Sequence, residues 1–496
     1  MAVIGKDEAR RALAARLDTD AAVLVELAGD YDALTRRSVA TNPHAPAAAL
    51  EELAGDPEPN VRVGVAGNAA TPPALLERLA SDPIEQVRER VAHHEAVPVD
   101  VLRKLAEDDD EGVRRVVASR EDAPKTALRL LAADPEEWIR GFAAMNPAMP
   151  PDVLQRLVSD EEEDVGRAAL RNPGVPACVL ESLADDENEN TRWDVAGNTS
   201  APAGVLERLG YDEVMPVRAH VAANPATPTR TLKTLADDAD EAVRCSVAAN
   251  PAVPAETLAA LVDDTSIDVR KRVAEAGGVL PHDVESLSRD SSPVVRASVA
   301  ARADVTRDVL ADLSGDKERT VRRHIAENEL AQPRELAQLA HDADAYVRAR
   351  VAANRATDAK TLEGLAADAD TGVRRSVAGN TAAPAAALDM LASDADVYIR
   401  RSVAANPNAS ARALALLAAD SDDAVRSAAL ANESFDAARL LDAAMIGNAP
   451  GTQPAGDAAP VVSPADEIRK LYELLEMGAI TQGEFDAAKA RLLALL

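Results

Sequence analysis

PAAALEELAGDPEPNVRVGVAGNAAT, residues 46–71, is one unit of a 26-residue pattern that fills most of this 496-residue chain. Leu50 and Leu53 share one face of a short first helix, which Pro46 opens at a position suited to its fixed φ. Asp56-Pro57 leads a turn, and Val61, Val65 and Ala66 supply the inward stripe of a second helix. The unit is therefore a pair of short antiparallel helices. Asn68 closes the second one, since Asn tolerates the left-handed backbone that ends helices and its amide satisfies nearby backbone groups.

Outward from this unit, the Asp column recurs every 26 residues from Asp30 to Asp420, sixteen times, with no other residue type in it. Six residues after each Asp stands an Arg, from Arg36 to Arg426, except where Gly166 stands beside Arg167. The Leu pair returns as Leu102 and Leu105, Leu232 and Leu235, and Leu362 and Leu365. Twelve of the sixteen units end on Asn, from Asn42 to Asn432, and His94, Arg120, Ala276 and Arg302 replace it in the others. A period without drift signals a solenoid, whose units bury their apolar faces only by stacking on neighbours. The fold class is all-α. Sixteen Asp and Arg pairs invite a catalytic or metal-binding reading, but a structural one is favoured. The Asp caps the following helix, the Arg reaches it or the Asp of the adjacent unit, and stacking makes a ladder that fixes register.

The totals bound function. Fifty-four Lys plus Arg against 84 Asp plus Glu give a formal charge of -30, which argues against wholesale binding to nucleic acid or anionic membranes. No stretch approaches the roughly 18 apolar residues of a membrane span and the N-terminus lacks a secretory signal, so a cytoplasmic location is expected. Cys178 and Cys245 fall at different phases of the repeat and form no cluster. There is no Walker loop, no His-Glu-x-x-His and no Gly-x-Ser-x-Gly. Residues 368–372, DADTG, resemble the start of a calcium loop, yet its twelfth position is Gly379. No catalytic, cofactor-binding or metal-ligating residue is expected.

Residues 238–251, with Asp238, Val243, Arg244, Val247, Ala248, Asn250 and Pro251, resemble the leucine-rich repeat variant family, and the Asp-to-Arg interval is that of HEAT repeats. The resemblance spans residues 19–445 and implies a right-handed superhelix of about sixteen paired helices, preceded by a capping helix over residues 1–18. Some leucine-rich repeat variant proteins carry an N-terminal cysteine cluster for an iron-sulfur centre. No cysteine precedes Cys178 here, so that cofactor is expected to be absent. Residues 446–464 are rich in Gly, Pro and Ala and read as a flexible linker. Residues 465–496 form two amphipathic segments, in which Gly478 stops the first helix and Thr481 with Glu484 makes a capping box for the second. With Leu471, Leu474, Ile480, Phe485, Lys489, Leu492 and Leu493, this tail resembles the short C-terminal domain. Such a hairpin is too small to be stable alone, which suggests self-association or docking, as the resemblance also implies.

In a solenoid the binding surface is the column that varies. The position after the ladder Arg is such a column: Arg37, Arg115, Arg167, Lys271, Arg323, Arg375 and Arg401 are basic, and Trp193 is aromatic. On the concave side these residues make a basic groove for an acidic or extended peptide. The plainer reading pairs each with a carboxylate one turn earlier, for example Glu111 with Arg115. Trp193, and Trp138, Tyr346 and Tyr398 at another phase, are either partner anchors or fillers of wider gaps. The expected function is a non-enzymatic adaptor that binds a protein partner, with a nucleic-acid-binding solenoid as the alternative. An enzyme built around His93-His94-Glu95 ranks third.

Overall fold

The computed structural model describes residues 6–435, which form thirty-three helices and no strand. First helices of seven or eight residues alternate with second helices of eight or nine, as in Val99–Leu105 and Glu111–Ser119. The chain is an all-α solenoid of repeats. The linker 446–464 and the hairpin 465–496 lie outside the described residues. Two compact units divide the chain, one ending at Thr257 and one beginning at Leu258. In the first, second helices stack in sequence, for example Met215–Ala223 on Glu241–Ala249. In the second the same stacking runs through Ala345–Ala353 on Thr371–Gly379 and Val397–Ala405 on Asp423–Ala431.

The periodic apolar positions are the core. Leu50, Leu53, Val61, Val65 and Ala66 are all buried, as are Leu102, Leu105, Leu232, Leu235, Leu362 and Leu365. Each buried Leu contributes about 1.5–3 kcal/mol. Pro46 is the residue just before the helix Ala47–Leu53, with φ -69° and ψ 152°, where an extended backbone leads into the first turn.

Ladder Arg residues reach forward to the Asp of the next unit, as from Arg36 to Asp56 and from Arg400 to Asp420, while Arg426, the last, pairs with Asp423 on its own helix. Arg62 donates from Nε to Asp82 Oδ2 at 2.6 Å and from Nη2 to Oδ1 at 2.9 Å, while its Nη1 donates to the backbone carbonyl of Asp56 at 2.8 Å. Arg348 repeats this in the second unit, on Asp368 and the Asp342 carbonyl. The Asp corrects the capping expectation. Asp82 Oδ1 accepts the amide of Ile84, which is itself the N-cap of the helix Glu85–His93, so the carboxylate closes the turn before the helix. One fork-on-carboxylate pair and two backbone groups are thereby satisfied where this pair forms, and Gly166 leaves its own junction without one.

A second ladder runs through the Asn column, and here too the expectation changes. The Asn residues are not left-handed: Asn146 has φ -66° and ψ 126° and Asn250 φ -69° and ψ 125°. Instead the side chain reaches backward. Asn146 Nδ2 donates to the carbonyls of Ala118 and Arg120 in the preceding unit, at 2.8 and 2.7 Å, and its Oδ1 accepts the amide of Ala148 at 2.9 Å. Three of the four breaks in the column keep a contact to the preceding carbonyls. His94 places Nε2 2.9 Å from the Asn68 carbonyl and Nδ1 3.0 Å from the Ala96 amide. Arg120 donates to the carbonyls of Ala92 and His94, and Arg302 to those of Ala274 and Ala276. Near the remaining break, Gly278 adopts φ 77°, a conformation L side chains rarely take.

The N-terminal helix Lys6–Ala15 enters the same system. Arg10 lies 3.0 Å from Asp30, and Asn42 donates to the carbonyls of Ala14 and Arg16, so this helix stands where the second helix of a further repeat would.

Ladder carboxylates such as Asp56 and Asp368 lie below the usual carboxylate range, from which an acid limit of the fold is expected. Burial pushes the Asp56 carboxyl up, but hydrogen bonds from Arg36 and the Glu58 amide outweigh it and hold the group below the usual range. At Asp368 the Arg348 hydrogen bond is the larger effect and the result has the same sign. A carboxylate with a depressed folded pKa stabilises fully above its unfolded value, about 3.9, and that stability is lost as pH falls through the folded value. Urea midpoints followed by far-UV circular dichroism are expected to hold between about pH 8 and 5 and to fall continuously below about pH 4. A midpoint unchanged down to about pH 2 would show that the carboxylates carry no net stability.

Candidate protein-binding surface

The variable column directly follows the ladder Arg on the second helices, and its members range from exposed to buried, as at Ala297. Arg37, Arg375 and Arg401 are exposed, and Arg115, Arg167, Trp193, Lys271 and Arg323 are half-buried. Five of these seven cations meet a carboxylate. Arg115 pairs with Glu89 of the preceding unit at 3.3 Å, not with Glu111. Arg167 pairs with Asp194 at 2.8 Å. In the second unit Lys271 lies 3.7 Å from Glu275, Arg323 3.8 Å from Glu327, and Arg375 3.3 Å from Asp396. Arg37 and Arg401 have no carboxylate within 4.0 Å among the described residues.

The aromatic residues divide. Trp138 is half-buried and meets Phe142 edge-on, with centroids 6.3 Å apart, so it packs along its own helix. Tyr346 and Tyr398 are 74% and 62% exposed. The Arg375 guanidinium lies over Tyr398, 5.4 Å from the ring centroid. Trp193 stacks on His220 of the next second helix at 4.0 Å.

One cluster is not among the residues singled out by sequence. Asp194, whose side chain is wholly buried, receives Nε of Arg167 at 2.8 Å and Nε of Arg171 at 2.7 Å. Its signal is present in the sequence: Asp194 is the one acidic member of the column two places after the ladder Arg, and Gly166 interrupts the ladder one repeat before it. Among the described residues, no group of His, Cys, Asp and Glu side chains is placed to hold a metal ion. No described helix is long and apolar enough to cross a membrane.

The leucine rich repeat variant family model matches residues 33–58 and 59–84, two successive segments that hold the Arg36–Asp56 and Arg62–Asp82 contacts respectively and are joined by Asn68, which donates to the Ala40 and Asn42 carbonyls. Residues 33–84 carry two leucine rich repeat variant units. A second model, the short C-terminal domain, matches residues 466–493. Among solved structures, the chain is similar to a leucine-rich repeat variant with a novel repetitive structural motif, at 25% identity over 44% of this chain and 87% of that one, with a TM-score of 0.32. It is also similar to Kap95p in a complex with RanGDP, at 11% identity over 96% of this chain and 66% of that chain, TM-score 0.34. Similarity to Kap121p bound to Nup53p is 12% over 97% of this chain and 62% of that chain, TM-score 0.24. The chain thus spans less than two thirds of the length of these two larger proteins. No curated protein matches the sequence.

Proposed function

We propose that the leucine rich repeat variant array is a non-enzymatic scaffold that binds a protein partner, an acidic or extended peptide, along the accessible face of its second helices. The observation that carries this reading is the strip formed in the second unit by Tyr346, Arg375, Tyr398 and Arg401, which the two ladders and the core leave exposed. Tyr398 and Arg401 are three residues apart on one helix and so share a face. Tyr and Arg are the side chains that dominate binding energy in interfaces. Residues 465–496 serve in this scheme as an oligomerisation or docking module on the tether 446–464. A nucleic-acid ligand is less well served, because carboxylates engage five of the seven column cations.

Affinity capture from nuclease-treated lysate tests the proposal, comparing the full chain with R323E/R375E/R401E and with a version lacking residues 446–496. Loss of the captured protein on charge reversal, with retention on deletion of the tail, is the expected result. Capture that follows the tail alone would reduce the array to a spacer.

A further inference from the structure

Where the ladder breaks at Gly166, the first unit holds a cluster with a chemistry of its own. The helices Glu163–Arg171, Glu189–Gly197 and Met215–Ala223 stack in succession. A Cβ on Gly166 would fall 3.0 Å from the Val158 carbonyl, so no ladder Arg fits there without a shift. Arg167 and Arg171 turn instead to Asp194, one on each carboxylate oxygen. Both guanidiniums also lie against the Trp193 ring, 5.9 and 5.4 Å from its centroid. Trp193 is seated on His220, and the absence of a side chain at Gly197 leaves that imidazole its space, since a Cβ there would stand 3.0 Å from Nδ1.

A purely structural ion triad is the competing account, and the use of the donors decides against it. Arg192, an ordinary ladder residue, directs Nε and Nη2 to Asp212 and Nη1 to the backbone carbonyls of Asp186 and Glu187. Arg167 and Arg171 engage only Nε, and their Nη groups meet no acceptor among the described residues. Arg171 is half exposed at 52% and Arg167 is 28% exposed, so these donors open to solvent. Two guanidiniums drawn together by one buried carboxylate, with unused Nη donors beside an indole face, form a receptor for an oxyanion attached to a flat or apolar group.

We infer that Arg167, Arg171 and Trp193 form an anchor subsite for a carboxylate of an acidic peptide, with the neighbouring aromatic or apolar side chain of that peptide lying on the indole. This rests on the peptide-binding reading proposed above and gives it a specific anchor in the first unit. Charge selects the ligand. Two guanidiniums and Asp194 leave one net positive charge, and Glu163 and Asp164 act on Arg167 from the same helix. A singly charged carboxylate matches this better than a phosphoryl dianion. Asp194 is a positioning residue, and His220 orients the indole.

The test uses the full-length W138F protein, which leaves Trp193 as the one tryptophan of the two in the chain. The probe is a short fluorescein-labelled peptide of alternating Glu and Phe, set against the same peptide with Gln for Glu. The Glu peptide is expected to raise the anisotropy signal and change Trp193 emission, and the Gln peptide to do neither. R171Q, which retains the Arg167–Asp194 pair, is expected to weaken binding by about tenfold with its thermal melt preserved. R171K keeps the charge but loses the fork, and is expected to weaken binding as well, so a misfolded R171Q leaves the idea testable. Unchanged affinity in the folded Arg171 variants, or equal binding of the Gln peptide, would overturn the subsite. Inorganic phosphate displacing the probe more strongly than acetate at equal ionic strength would overturn the assignment to a carboxylate. Loss of lysate capture in R323E/R375E/R401E with a silent R171K would leave the scaffold reading standing and remove only this anchor.

Discussion

Asn198→Ala is expected to destabilise the first unit by about 3 kcal/mol, measured by urea unfolding and by amide exchange in the helices on either side. Asn198 is 1% exposed. Its Nδ2 donates to the carbonyls of Leu170 at 2.6 Å and Asn172 at 3.0 Å, and its Oδ1 accepts the Ser200 amide at 2.8 Å. Alanine leaves the Leu170 carbonyl buried without that partner, takes one of two donors from the Asn172 carbonyl, which keeps the Val175 amide at 3.2 Å, and frees the part-buried Ser200 amide, and a buried orphan costs about 1–3 kcal/mol before relaxation. Asn198→Asp keeps the shape and the acceptor but turns a carboxylate oxygen toward two carbonyls, so its loss should exceed that of Ala. Asn198→His should cost least of the three, because His94 already makes both halves of the contact at the equivalent place. An alanine variant within about 0.5 kcal/mol of the parent would mean that water reaches these carbonyls and the Asn column is not a structural ladder.

Asp212→Ala is expected to cost about 3–5 kcal/mol, because it strips the partner from a largely buried Arg and does not simply delete a contact. The Arg192 and Asp212 side chains are 11% and 6% exposed, so water screens their interaction weakly. Asp212 also accepts the Val214 amide at 2.9 Å, which closes the turn before the helix Met215–Ala223. The double variant Arg192→Met with Asp212→Leu should recover part of the loss, since a pair replaced by apolar residues leaves no buried charge behind. A double variant worse than Asp212→Ala would show that the Arg contacts to the Asp186 and Glu187 carbonyls outweigh the ion pair.

Much of the fold was legible because its signal is periodic. Leu50, Leu53, Val61 and Val65 fall where a 3.6-residue helix period and a 26-residue repeat both require burial. The direction of the polar contacts was not legible. The interval between Arg62 and Asp56 is short in sequence, yet Arg62 bonds the Asp56 carbonyl and gives its fork to Asp82, and only the stacking of units sets that choice. The Asn column was read as a local helix terminator for the same reason, although His and Arg as its replacements share with Asn the ability to donate a hydrogen bond. Of the binding surface, the sequence singled out Arg167 and Trp193, but Arg171, Asp194 and His220 were missed. They belong to three successive second helices, and nothing in their spacing announces convergence except the isolated acid at Asp194 opposite Gly166.

The Arg ladder spans 20 residues forward and the Asn ladder at most 28 back, so no ladder clasp described here reaches beyond a neighbouring unit. Pulled from its ends, such an array behaves as a row of similar latches in series and not as one lock. Each latch that opens releases 26 residues, a length of about 90 Å when extended. The force record would be a sawtooth of even spacing, and slack would be paid out in equal steps while the unopened repeats kept their grip.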